Sequence, residues 1–228
     1  MGRGIKVTEM KNKLLLALLI LPPIVIFLTK YFLPSNYIFS SLYKIIFLFP
    51  IFYRVYTEKK SIKGAVSEHF SIKIFKQKIL YSLFIGIGLF LVYFGAFLLF
   101  RHFLDFEEIK MQLGGIINLG NLVFIGLYIV IMNSLLEEFF WRGFIFDKLR
   151  SNRIFAYIVT GVAFSFHHVI FYYNWFNVPL FIVVTLGLIL YAMFMNYIFE
   201  KFRDLFSCWI IHAFADVAQI TIAFIVFI

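Results

Sequence analysis

Glu137 and Glu138 stand side by side in an apolar stretch, and Arg142 follows one helical turn later. A charged side chain at the centre of a membrane helix costs about 2.5–3.5 kcal/mol on insertion scales, so charges at that depth usually serve a function. Carboxylates placed there can act as general acids and bases or form buried ion pairs. Two later apolar stretches are interrupted by polar residues: His167, His168, His212 and Asp216. We therefore expect one polar site inside a helix bundle.

The spacing within the first group predicts different roles for the two glutamates. Glu138 and Arg142 are four residues apart, on one helix face, and can form an ion pair. Glu137 is turned by roughly 100° from Glu138 and lies one turn from Asn133. Because Glu137 has no cation on its own face, it is the candidate general base. Glu138, Arg142 and Asn133 are expected to support it.

The histidines offer fewer geometric constraints. Adjacent residues of a helix point roughly 100° apart, so we expect at most one of His167 and His168 to face the glutamates squarely. Asp216 lies one turn from His212, where it can orient and stabilise the imidazole or bind substrate.

The composition predicts an all-α, polytopic membrane protein. The chain is 63% hydrophobic and 14% charged, whereas soluble domains are about 45–50% apolar. Seven apolar stretches reach the length of about 20 residues that crosses a bilayer. The first is expected to be an uncleaved helix, kinked at Pro22 and Pro23. The predicted helices are 14–33, 36–56, 79–100, 122–147, 154–173, 179–199 and 207–228.

The net charge of +9 is explained by membrane topology rather than by nucleic-acid binding. The basic residues are spread over alternate gaps between the apolar stretches, most densely at 54–78. The positive-inside rule then places the N-terminus in the cytoplasm and the C-terminus outside. The basic gap either lies on the anionic lipid surface or is a solvated loop. The single cysteine, Cys208, excludes an intramolecular disulfide and a thiolate metal cluster.

Three motifs in order resemble the CPBP family, which groups type II CAAX prenyl endopeptidases with bacterial proteins linked to bacteriocin processing and self-immunity. The first motif is Glu-Glu-x-x-x-Arg at 137–142, the second is Phe-x-x-x-His at 164–168, and the third is His-x-x-x-Asp at 212–216. The resemblance divides the chain into an N-terminal transmembrane region, 1–121, and a catalytic helix bundle, 122–228.

The resemblance implies a role for each matching residue. Glu137 is the catalytic carboxylate, His168 its partner at the attacking water, and His212 and Asp216 complete the site. The prenyl endopeptidases have Asn where this chain has Asp216, and a carboxylate cannot donate a hydrogen bond to an oxyanion. Asp216 therefore fits better as an orienter of His212. If a divalent metal such as zinc takes part, the expected ligands are Glu137, His168 and His212.

These observations favour an intramembrane endopeptidase that cuts a membrane-associated peptide or lipid-modified protein, in contact with membrane lipids and in the plasma membrane of a bacterium. The alternatives are a non-catalytic immunity protein that binds a bacteriocin or its receptor, and a proton-coupled transporter. The transporter is disfavoured because we find neither paired halves nor broken helices. Metal-independent chemistry is favoured slightly, since no His-Glu-x-x-His helix is present.

Overall fold

The structure is a computed structural model that describes residues 2–32, 41–114 and 117–227, with side chains described at 13–32, 41–111 and 117–227. These residues form helices and short connections, and no strand occurs among them. The all-α expectation is therefore confirmed for the described part of the chain.

Nine helical elements carry the labels α1 to α9. The bounds are α1 Gly2–Phe32, α2 Phe49–Tyr56, α3 Ile62–Ser67, α4 Ile72–Phe100, α5 Phe106–Gly114, α6 Leu119–Leu149, α7 Arg153–Tyr172, α8 Val178–Phe202 and α9 Leu205–Phe227. Short 3-10 helices cover Leu42–Leu48, just before α2, and Arg101–Phe103, just after α4. Three of the long helices have an asparagine N-cap, whose side chain accepts a hydrogen bond from the backbone N–H three residues later. The three caps are Asn118, Asn152 and Asn177.

Six helical stretches of the described chain are long and apolar enough to cross a membrane. They correspond to six of the seven predicted helices, and α1 runs through Pro22 and Pro23 without ending. The seventh prediction, 36–56, differs. Its first residues lie outside the described part of the chain, and the rest is a 3-10 helix followed by α2, each shorter than a membrane span.

The segment at 41–56 nevertheless runs along the bundle beside α6. Phe47 contacts the ring of Phe140, and Tyr53 contacts the ring of Phe144. Beyond it, Glu58 pairs with Lys148 at the end of α6. Aromatic packing thus fixes this segment against α6, although neither of its two short helices is long enough to span a membrane.

The three basic gaps that were predicted to share one side of the membrane do meet at one end of the bundle. Asp147, at the end of α6, contacts His69 at 3.4 Å and Arg203 at 3.2 Å. Asp204 accepts a hydrogen bond from the Ser71 backbone at 2.9 Å. Burial alone would raise the pKa of Glu58, but the ammonium groups of nearby lysines hold this pKa below its ordinary value.

Arg54, counted from sequence among the loop cations, is instead fully buried. Its guanidinium donates to the carbonyls of Ala65 at 2.8 Å and Gly143 at 2.5 Å, and pairs with Glu68 at 2.7 Å. This residue ties the basic gap to α6. At the opposite end, Lys30 donates to the Ile170 carbonyl at 3.0 Å, so α1 covers the end of α7.

The gathering of these gaps makes the predicted membrane orientation testable with two cysteine probes. Cys208 is buried and can be replaced by Ala as a background, and Asn174 and Lys201 are exposed at opposite ends of the bundle. In intact cells, a membrane-impermeant maleimide should label Asn174→Cys from outside and label Lys201→Cys only after permeabilisation. The reverse pattern would show that the positive-inside count gives the wrong orientation.

Candidate active site

The Glu137 carboxylate lies at the centre of the site, and its side chain is only 2% exposed. The Asn133 side chain, one turn earlier on α6, donates to Glu137 Oε1 at 2.7 Å. This contact is the one that the sequence spacing predicts. It fixes one carboxylate oxygen and leaves Oε2 directed at the neighbouring helices.

Three imidazoles surround Glu137 Oε2. The Nε2 atoms of His167 and His168, on α7, are each 3.7 Å from it, and Nε2 of His212, on α9, is 3.9 Å from it. The expectation that at most one of the adjacent histidines faces the glutamate is wrong. Both rings reach Oε2 because the carboxylate lies between their two directions and an imidazole extends well beyond its own Cβ.

A backbone contact fixes the tautomer of His168. Its Nδ1 lies 3.0 Å from the carbonyl oxygen of Phe164, which can only accept a hydrogen bond. Nδ1 therefore carries the hydrogen, and the neutral ring presents the Nε2 lone pair to Glu137. Two acceptor atoms 3.7 Å apart cannot bond to each other directly. Such a pair suits a donor or a cation held between them.

Glu138 connects three of the site's residues. Its Oε1 accepts from Arg142 at 2.8 Å, which is the ion pair expected from the spacing, and from His212 Nδ1 at 2.7 Å. Asp216 Oδ1 is 3.7 Å from His212 Nε2, beyond hydrogen-bond distance. The side chain that holds the His212 ring is therefore Glu138 rather than Asp216, contrary to the sequence expectation.

Two π-helical turns in α6 position the glutamates. The turns span Ile129–Asn133 and Trp141–Phe146, and the α-helical turns between them, Ser134–Phe140, carry both carboxylates. A π-turn adds a residue to the helix and changes which side chains face a neighbouring helix, and such turns are frequent at functional sites. Nothing in the hydrophobic pattern of this stretch indicated them.

The N-terminal part of the chain also borders the site. The Phe47 ring meets His167 edge-on at 6.0 Å, while His167 stacks on Trp141 at 5.4 Å. Lys44 is buried, and the charges of Glu137 and Asp216 act on its ammonium group. The one signal in the sequence for this contact was a lysine interrupting the second apolar stretch.

Buried polar atoms without a hydrogen-bond partner among the described residues are concentrated here. An unsatisfied buried donor or acceptor costs about 1–3 kcal/mol, so native proteins contain few of them away from functional sites. The atoms are Asn133 Oδ1, Glu137 Oε2, Glu138 Oε2, Trp141 Nε1, Arg142 Nε, both ring nitrogens of His167, the Tyr191 hydroxyl and Asp216 Oδ2. This set indicates a site built to bind polar groups that are not part of the chain.

The site has the donor atoms for a metal ion, but not in the set expected from sequence. One ligand atom each from Glu137, His167 and His168 lies within 4.8 Å of the others, so His167 takes the place expected for His212. Two ligands of a tetrahedral zinc ion, at 2.0–2.1 Å from it, lie roughly 3.3 Å apart. The distances of 3.7 Å from Glu137 to each histidine are a few tenths longer and fit such an ion. Bound there, zinc would supply Lewis-acid activation of a water or carbonyl.

Comparison with known proteins gives one family. Residues 119–218 match the family described as Type II CAAX prenyl endopeptidase Rce1-like. The match covers less than half of the 228 residues, but includes all three motifs and therefore confirms the resemblance drawn from them. It indicates a CAAX-type intramembrane protease at the level of the family. Neither the curated proteins nor the solved structures gave a match to the chain.

Replacing Arg142 with Leu should destabilise the protein, because it leaves the Glu138 carboxylate buried without its cation. Breaking one partner of a buried pair costs about 3–5 kcal/mol, so a clear fall in melting temperature in detergent is expected. Arg101→Leu, which changes an exposed arginine, is the matched control. Equal melting temperatures for the two variants would show that the ion pair between Glu138 and Arg142 does not stabilise the protein.

Proposed function

We propose that the protein is an intramembrane endopeptidase in which Glu137 and His168 activate a water for attack on a peptide bond. The observation that supports this most strongly is the approach of one buried carboxylate oxygen, Glu137 Oε2, to the Nε2 atom of His168 at 3.7 Å. The pair lies inside the region that matches the protease family.

Each atom of the pair has a defined task in this proposal. Glu137 Oε1 is occupied by Asn133, so Oε2 takes the proton of the water as its oxygen attacks the carbonyl carbon. The tautomer of His168 is fixed by Phe164, so its Nε2 accepts a hydrogen bond from the other O–H of the water. This hydrogen bond orients the water toward the carbonyl carbon. General-base assistance of this kind contributes about 10²–10⁴ to a rate.

The intermediate carries a negative oxygen, and we assign its stabilisation to His212, whose Nε2 lies 3.9 Å from Glu137 Oε2. Its Nδ1 is bound to Glu138, so the protonated ring would direct its Nε2–H at the oxyanion. As the intermediate collapses, Glu137 returns its proton to the amide nitrogen and the C–N bond breaks. One water and one peptide bond thus yield a carboxylic acid and an amine.

The pattern of exposure suggests where water and substrate arrive. Glu137 and His167 are enclosed, whereas the His168 side chain is 20% exposed. We expect a membrane-associated peptide or lipid-modified protein to approach on the His168 side. Asp216, 3.7 Å from His212, would bind or orient the substrate backbone.

Replacing Glu137 with Gln removes the base while keeping the shape of the side chain. Cleavage should fall by at least about 100-fold, in line with the loss of a general base. The measurement is quantitative mass spectrometry of membrane peptides from cells expressing either form at equal levels. Glu107→Gln, at a carboxylate that is 85% exposed, is the control and should behave as wild type.

Identical peptide profiles for wild type and Glu137→Gln would contradict the proposal. If any cellular phenotype were also retained by the variant, the protein would act by binding, as an immunity protein would.

A further inference from the structure

Tyr191 is a residue of α8 that none of the three motifs includes. Its ring meets the His212 ring edge-on, with centroids 5.8 Å apart, and lies 5.9 Å from Phe164. The contact with the His212 ring places the Tyr191 side chain beside the site. Helix α8 therefore contributes a polar group next to the proposed oxyanion donor.

The Tyr191 hydroxyl is buried and has no hydrogen-bond partner among the described residues. Burying a hydroxyl without a partner is unfavourable, and phenylalanine would pack against His212 and Phe164 equally well without that cost. The unpaired hydroxyl destabilises the protein alone, yet it lies next to the reacting groups. We explain it by a hydrogen-bond acceptor that the substrate supplies.

The site is short of donors aimed at a substrate oxygen. His168 Nε2 is an acceptor in the tautomer fixed by Phe164, and the Asp216 carboxylate only accepts. His212 provides a donor at Nε2 only when its ring is protonated, because Nδ1 is already committed to Glu138. A peptide carbonyl needs donors, and it needs them more as its oxygen becomes negative.

The other buried donors without partners at the site, in Trp141, Arg142 and the ring of His167, are less suitable. His167 is 1% exposed, and its ring contacts those of Phe47 and Trp141. The Trp141 indole is 1% exposed and stacks on His167 within the aromatic core. Arg142 holds Glu138 and the Ala192 carbonyl with its other nitrogens. Tyr191 is only partly buried as a residue, so part of its side chain is open to an approaching peptide, while its hydroxyl is covered in the protein alone.

We propose that Tyr191 is a further catalytic residue, and that its hydroxyl donates a hydrogen bond to the carbonyl oxygen of the scissile peptide bond. The bond strengthens as the tetrahedral oxyanion forms, and no proton is transferred. This role rests on the proposed endopeptidase function. Tyr191 would thereby donate the hydrogen bond to the oxyanion that Asp216, as a carboxylate, cannot donate.

The test compares Tyr191→Phe, which removes the hydroxyl alone, with Tyr197→Phe on the same helix, where the ring is 46% exposed. The substrate is a fluorescence-quenched form of a peptide whose cleavage in cells depends on Glu137. With purified full-length protein and saturating peptide, Tyr191→Phe should cleave about 100-fold more slowly, as when one oxyanion donor is lost. Tyr197→Phe should cleave at the wild-type rate, and the melting temperature should not fall in either variant.

The outcomes separate this proposal from the function on which it rests. Wild-type turnover by Tyr191→Phe, with Glu137→Gln inactive, would overturn the role of Tyr191 alone. A fall in melting temperature that accounts for the lost activity would make Tyr191 a packing residue and would also overturn the proposal. If no peptide depends on Glu137, the endopeptidase function fails and the role of Tyr191 fails with it.

Discussion

The shared contact of one buried carboxylate with a guanidinium and an imidazole is the constraint on which the site depends. Glu138 is fully buried, and its Oε1 binds both Arg142 and His212. A lone charge at this depth would be prohibitive, so the three groups are stable only together. The contact joins α6 to α9 and sets the angle of the His212 ring. Because Arg142 pairs with Glu138, the contacts of Glu137 Oε2 are with the three histidines.

Much of the fold and the main polar site could be predicted from residue types and spacing. The lengths of the apolar stretches predicted six helices that the structure contains, and the positions of the basic gaps predicted which ends meet. Spacings of four residues predicted two contacts within α6, from Asn133 to Glu137 and between Glu138 and Arg142. These succeed because a helix converts sequence distance directly into spatial distance.

Contacts between helices could not be obtained in this way. The spacing suggested Asp216 as the partner of His212, but a residue of another helix, Glu138, binds that ring. Both His167 and His168 reach Glu137, because the carboxylate lies between the directions of the two rings. Tyr191 lies in none of the three motifs, and its position beside His212 and its buried, unpartnered hydroxyl are seen only in the structure.

The central claim is that Glu137 and His168 act on the same water, and a double-mutant cycle measures this directly. The cleavage rate would be compared among wild type, Glu137→Gln, His168→Gln and the double variant, all confirmed to fold by their melting temperatures. Residues that work as a unit show strongly non-additive losses. The account predicts that the double variant cleaves no more slowly than the worse single variant. Losses that multiply in the double variant would show that the two residues act independently, and would contradict a shared water.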